Sequence, residues 1–141
     1  MMEVFSALDG TKITEIVTQS PAQVAEIIAG TDNSTWAALS LGKRVDAMRE
    51  IADLVEADAD NLAQIIHIDA GKTLNEAVGE VKNFINTIRT NCDKALAKKL
   101  DDFGIMQRQK LYHPVGIVGL ITSYNFPLAV AGWTIDRKSV V

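Results

Sequence analysis

The side chains that could do chemistry are few. They are Asn125 in the turn Thr122-Ser123-Tyr124-Asn125-Phe126-Pro127, the single cysteine Cys92, the histidines His67 and His113, and the triplet Gly71-Lys72-Thr73. A cysteine attacks a carbonyl as its thiolate, which needs a paired His, a helix N-terminus or another nearby positive charge. Cys92 falls instead on the apolar stripe of a helix, with Ile88 and Ala95 as neighbours, so packing is its expected role. His67 and His113 lack metal-ligand spacing with each other or with Cys92, and no metal is assigned. His67 is expected to cap or pack near a helix end. Gly71-Lys72-Thr73 ends like a phosphate-binding loop, but that motif needs Gly where Ile66 stands and a strand where the pattern is helical. A helix C-cap at Gly71 and an N-cap at Thr73 account for it. Gly116 and Gly119 are spaced wrongly for a dinucleotide fingerprint and lie inside an apolar run.

Asn125 is placed differently. The run Val115 to Ile121, uncharged and rich in β-branched residues, reads as a strand buried on both faces of a parallel sheet. Pro114 bounds it on one side and Thr122-Ser123 on the other. A polar turn at the carboxyl end of such a strand is where open α/β sheets place their ligands. After the turn, Leu128 to Trp133 looks like the start of an apolar helix, with Pro127 in its first turn. Taken alone, Asn before Phe-Pro is a turn former.

Helices must position this turn. Val4-Phe5 and Ile13 to Val17 flank the turn-forming Asp9-Gly10 and predict a strand or hairpin arm. Ser20-Pro21-Ala22-Gln23 announces a helix with Val24, Ile27 and Ile28 on its apolar face and Gly30 at its end. Thr31 to Thr35 is a polar break before Trp36. From Leu41 through Val45, Met48, Ala52, Val55, Ala59 and Leu62 to Ile66, steps of four and three trace one helical face, which Asp58-Ala59-Asp60 could divide in two. Thr73 and Glu76 form a capping box for a long helix. Its buried side runs from Leu74 through Val78, Val81, Ile85, Ile88 and Cys92 to Ala95, with Lys98 and Lys99 in the last turn. Ile105 to Tyr112 alternates loosely and predicts a strand leading into His113-Pro114.

Composition excludes several functions. With 48% apolar and 23% charged residues, the chain reads as one globular domain. A net charge of −4 without a basic block argues against capture of nucleic acid or acidic lipid. No apolar stretch would span a bilayer, and Met1 to Ser6 lacks the features of a secretory signal. A single cysteine suits a reducing, cytoplasmic setting.

Pro114-Val-Gly-Ile-Val-Gly119 followed by Ile121-Thr-Ser-Tyr-Asn125-Phe-Pro-Leu128 resembles the strand and Asn-Phe-Pro loop of the NAD(P)-dependent aldehyde dehydrogenases. Where the family usually has Pro-Trp before the Asn, this chain has Ser123-Tyr124. Asp69-Ala-Gly-Lys-Thr-Leu74 with Glu76 and Gly79-Glu80-Val81 resembles the family's upstream helical segment, and Ser34-Thr35-Trp36 with Lys43-Arg44 its Trp and Arg landmarks. The resemblance covers most of Ser20 to Trp133. It implies an α/β fold: the amino-terminal helices and first strands of an incomplete, Rossmann-like coenzyme domain over 1–141, without the catalytic domain. The family oxidises an aldehyde to an acid, with NAD or NADP as coenzyme and commonly as dimers or tetramers. By resemblance Asn125 is the catalytic residue, donating its amide to the oxyanion formed when a cysteine thiolate attacks the aldehyde. Ile121, Thr122, Ser123 and Tyr124 would pass close to the coenzyme. The family's nucleophile, its water-activating Glu and most coenzyme contacts lie beyond Trp133, where Asp136-Arg137-Lys138 departs from its pattern. Truncation or a frameshift is the resulting expectation, with an inactive, association-prone chain. The alternatives are a non-catalytic remnant binding other subunits through Ile105 to Tyr112, and a small helical interaction module.

Overall fold

A single long helix, α4 (Leu74–Ala97), is the axis of the computed structural model, which describes residues 1–31, 35–97 and 118–139. Helices α2 (Leu41–Ala57), α3 (Ala59–Ala70) and α5 (Ala129–Ser139) all pack against it. The chain enters through an antiparallel hairpin, β1 (Met2–Phe5) and β2 (Lys12–Ile16), followed by α1 (Pro21–Thr31) and a 3-10 turn at Thr35–Ala38.

The periodicity of α4 explains its central place. Ala77, Val81, Phe84, Ile85, Ile88 and Cys92 repeat at three and four residues and are all buried. Val45, Met48 and Ala52 of α2 and Ala63 and Ile66 of α3 close over them as one core. Each Val, Ile, Met or Phe side chain among them contributes about 1.5–3 kcal/mol by leaving water. Leu74, expected on the buried side, is instead exposed, because the helix begins there before its partners reach it.

Capping sets the helix boundaries. Ser20 and Gln23 cap α1 reciprocally, Gln23 N–H donating to Ser20 Oγ at 3.3 Å and Ser20 N–H to Gln23 Oε1 at 2.8 Å. This helix continues one residue past Gly30, and Thr31 Oγ1 donates to Ile28 C=O at 2.5 Å. Asp58, with φ −109° and ψ 19°, divides α2 from α3 as the sequence suggested. Gly71 ends α3 in the left-handed region at φ 68°, its N–H donating to His67 C=O at 3.1 Å. A Cβ at Gly71 would also lie 3.1 Å from Ala7 Cβ, so both backbone and space call for glycine. Ala7 belongs to the hairpin loop, which docks by donating its N–H to Ile68 C=O at 3.0 Å.

Val24, Ile27 and Ile28 form one face of α1 as expected, and that face stands uncovered, no residue of the helix being buried. A strand expectation is corrected. Val118 to Ile121 forms no strand among the described residues, and Ile121 is 96% exposed. An apolar run becomes a strand when a neighbour accepts its backbone hydrogen bonds, and no described residue does so. Val115 to Ile117, Ile105 to Tyr112, His113 and Lys98-Lys99 lie outside the described residues. Among the described residues the fold is α-rich with one two-stranded antiparallel sheet.

Candidate functional site

The loop Ile121 to Phe126 leaves the helical body as an exposed turn, with Phe126 N–H donating to Ser123 C=O at 3.3 Å. Ile121, Thr122, Ser123, Tyr124 and Asn125 are all exposed, and the Asn125 side chain has no hydrogen-bond partner among the described residues. The five side chains singled out in the sequence are thus contiguous on one projecting turn. Pro127, expected in the first helical turn, instead lies in the turn two residues before α5, and Val130 N–H closes that turn on Phe126 C=O at 3.3 Å.

The base of this turn is held by Glu80, a residue the motif search did not single out as functional. Its side chain is 1% exposed. One carboxylate oxygen, Oε1, accepts the Leu128 and Ala129 N–H groups at 2.9 and 3.1 Å, satisfying donors that open α5. The other, Oε2, is paired with Lys72. Lys72 Nζ also stands 3.7 Å from the centroid of the Phe126 ring. One buried ion pair therefore ties the end of α3, the middle of α4, the start of α5 and the residue after Asn125 together. The signal in the sequence was a carboxylate at the third step of an apolar stripe, between Ala77 and Phe84, with a lysine upstream.

A further contact fixes the angle between α4 and α5. Gly132 packs on the Phe84 ring so closely that a Cβ would lie 2.6 Å from Phe84 Cδ2. Trp133 Nε1–H donates to Asn83 Oδ1 at 3.1 Å. Beside these contacts a cleft of about 280 Å³ opens, lined among others by Lys72, Glu80, Asn83, Phe126 and Trp133. It reaches the residue next to Asn125.

The remaining candidates are structural. Cys92 is wholly buried and its Sγ lies 3.9 Å from Val45 C=O. His67 Nδ1 contacts Lys72 C=O, closing the α3–α4 junction. Thr73 and Glu76 form the expected capping box: the Glu76 carboxylate accepts Thr73 N–H at 3.0 Å and Thr73 Oγ1–H at 2.8 Å. Those two bonds, the hydroxyl's first, hold the Glu76 carboxyl below its ordinary value of 4.5.

The aldehyde dehydrogenase family profile matches residues 1–137. Aldehyde dehydrogenase family 7 member A1 of Brassica napus is 36% identical over 107 residues, which are 70% of this chain and 21% of that protein. N-succinylglutamate 5-semialdehyde dehydrogenase of Novosphingobium aromaticivorans is 34% identical over 131 residues, 80% of this chain and 28% of that protein. In structure, the NADP-dependent glyceraldehyde-3-phosphate dehydrogenase of Bacillus halodurans, solved with NADP, superposes with a TM-score of 0.86 at 25% identity, over 99% of this chain and 32% of that one. The chain thus spans roughly a fifth to a third of the length of these proteins.

Proposed function

The chain belongs to the aldehyde dehydrogenase family, and from that premise we propose that these residues supply the oxyanion-binding turn of an NAD(P)-dependent aldehyde oxidation. The observation that carries the reading is the exposed Asn125 turn set on the buried Glu80–Lys72 pair. A preorganised amide donor stabilises charge that develops on a carbonyl oxygen under attack, and such a donor lowers the barrier by about 3–4 kcal/mol. Preorganisation needs a rigid base, which Glu80 provides by fixing the Leu128 and Ala129 amides, two and three residues after Phe126.

The adjoining cleft would receive the aldehyde, with Phe126 and Trp133 as apolar walls. NAD or NADP, when bound, supplies the hydride acceptor. The exposed stretch Ile121 to Tyr124 fits one flank of a coenzyme site, because no described side chain covers it. It offers no phosphate cradle, so the remaining contacts belong to other parts of the family's domain. The nucleophile does as well, since Cys92 is buried in the core. Among the described residues no helix is long and apolar enough to cross a membrane, and a cytoplasmic oligomer is part of the proposal.

The test is a chimera joining residues 1–133 to the downstream part of the Bacillus halodurans structural neighbour. Asn125→Ala should lower kcat about a hundredfold or more, with less effect on the coenzyme KM. Unchanged turnover would return Asn125 to being a turn residue. The second reading, a subunit-interaction module, is favoured by one observation: the apolar face of α1 is exposed.

A further inference from the structure

Caps at Gly71 and Thr73 explain the residues on either side of Lys72 and ask nothing of Lys72 itself. A lysine between two helices ordinarily reaches into solvent, yet this side chain is 15% exposed. It is held at both ends. Its carbonyl oxygen meets His67 Nδ1, and its ammonium pairs with Glu80 Oε2. The same ammonium stands over the face of the Phe126 ring, 3.7 Å from the centroid. Phe126 is 42% exposed and lies outside the helical core, so packing alone gives its ring little reason to keep one orientation. A cation on one face does, because the attraction to the ring's electron-rich face is lost as the ring turns edge-on. Holding a free lysine there would cost its rotamer entropy, but Glu80 has already immobilised this one.

We propose that Lys72 is a positioning residue for the Asn125 turn, acting through the Phe126 ring. The inference rests on the oxyanion-binding reading of Asn125 and deepens it. Glu80 grips the chain at the Leu128 and Ala129 amides, past the ring. Lys72 grips it at Phe126, whose N–H donates to Ser123 C=O at 3.3 Å across Tyr124 and Asn125. A seated ring keeps that N–H in place, and the bond closes the turn that carries Asn125. Asn125 itself is exposed, so its aim depends on the backbone beneath it. Glu80 thus acts twice, directly on the start of α5 and through Lys72 on the turn before it.

The test uses the 141-residue chain labelled with carbon-13 and nitrogen-15. Protons on the Lys72 ε-carbon, held above the ring face, should resonate upfield of those of the other lysines. Phe126→Leu keeps an apolar side chain and leaves the Lys72–Glu80 pair intact. It should erase the upfield shift. It should also lower the backbone order parameters of Tyr124 and Asn125 from the rigid value of about 0.85 to below about 0.6. The Leu128 and Ala129 amides, still on Glu80, should keep theirs. Lys72→Met combined with Glu80→Gln removes both charges without stranding one in the interior, and retains an acceptor for those amides. It should loosen the turn in the same way. A lysine serving only as the counter-charge of Glu80 would leave turn order unchanged in Phe126→Leu. Unshifted Lys72 protons, a wild-type turn already flexible, or a turn that stays rigid in either variant would each overturn the proposal. No aldehyde or coenzyme enters the measurement. A turn loosened by both variants, beside an Asn125→Ala chimera of full activity, would remove the oxyanion reading and leave the hold of Lys72 on the turn established. A turn unmoved by them, beside an impaired chimera, would remove this inference alone.

Discussion

Glu80 shows how a buried side chain on one helix can fix the start of another and the turn before it. Its carboxylate meets one lysine and two backbone N–H groups, and its side chain is 1% exposed. Glu80→Ala would leave the half-buried Lys72 beside Phe126 without its counter-charge and the two amides without an acceptor. Breaking such a pair from one side costs about 3–5 kcal/mol, which denaturant unfolding would measure. Glu80→Gln keeps an acceptor oxygen for Leu128 and Ala129 and should cost clearly less. Equal losses in the two variants would show that the charge, rather than the cap, holds the turn. Asn125 stood out through the resemblance of its loop, since Asn before Phe-Pro by itself marks only a turn. Glu80 did not, because its burial depends on groups eight and forty-eight residues away. Cys92 was readable for the opposite reason: three- and four-residue spacing alone assigns it to the core.

At the scale of elements, caps were the most legible feature, since each is written in adjacent residues. The Ser20–Gln23 box, the Asp58 break, the Gly71 stop and the Thr73–Glu76 box all form as their spacing requires. Thr73→Ala should cost about 1 kcal/mol. It should also alter the acid limb of unfolding. Glu76 titrates below 4.5 in the folded chain, so its contribution is complete above that pH and fades as pH falls through the lowered value. In Thr73→Ala that part of the acid dependence should disappear; an unchanged pH profile would mean the box adds nothing. Strand legibility failed where neighbours are needed: Val118 to Ile121 has strand composition but no described partner, whereas β1 and β2 supply one another. The packing of α5 on α4 was likewise hidden, because it turns on a missing side chain. Gly132→Ala would push a methyl into the Phe84 ring, and overpacking of this kind costs about 1–3 kcal/mol. A lowered melting temperature with retained helix content would confirm it.

Across the whole molecule the helical core is complete while its flanks are not. Ile27 and Ile28 of α1 are 53% and 51% exposed, and Phe5 and Ile16 of the hairpin 50% and 47%. Large uncovered apolar patches of this kind favour association, and light scattering at micromolar concentration should show it. Ile27→Lys with Ile28→Glu should shift the population toward monomer; a monodisperse wild-type monomer would contradict the reading. Catalysis asks more of the molecule than association does. A thiolate must reach a carbonyl, yet Cys92 is 0% exposed, and only unfolding of α4 from α2 would present it. In the role proposed for it, Asn125 would stabilise an oxyanion only where a nucleophile had created one. Hydride transfer also needs a dinucleotide held at its phosphates, and no Gly-rich cradle occurs in these residues. Losing one donor slows a reaction, but losing the nucleophile removes its path, so weak residual binding could not rescue it. The polypeptide of 141 residues, purified and mixed with NAD or NADP and a panel of aldehydes, should therefore form no reduced coenzyme. Turnover that survives Cys92→Ser would trace to a contaminating enzyme, whereas turnover abolished by that substitution would show that Cys92 leaves the core and reacts.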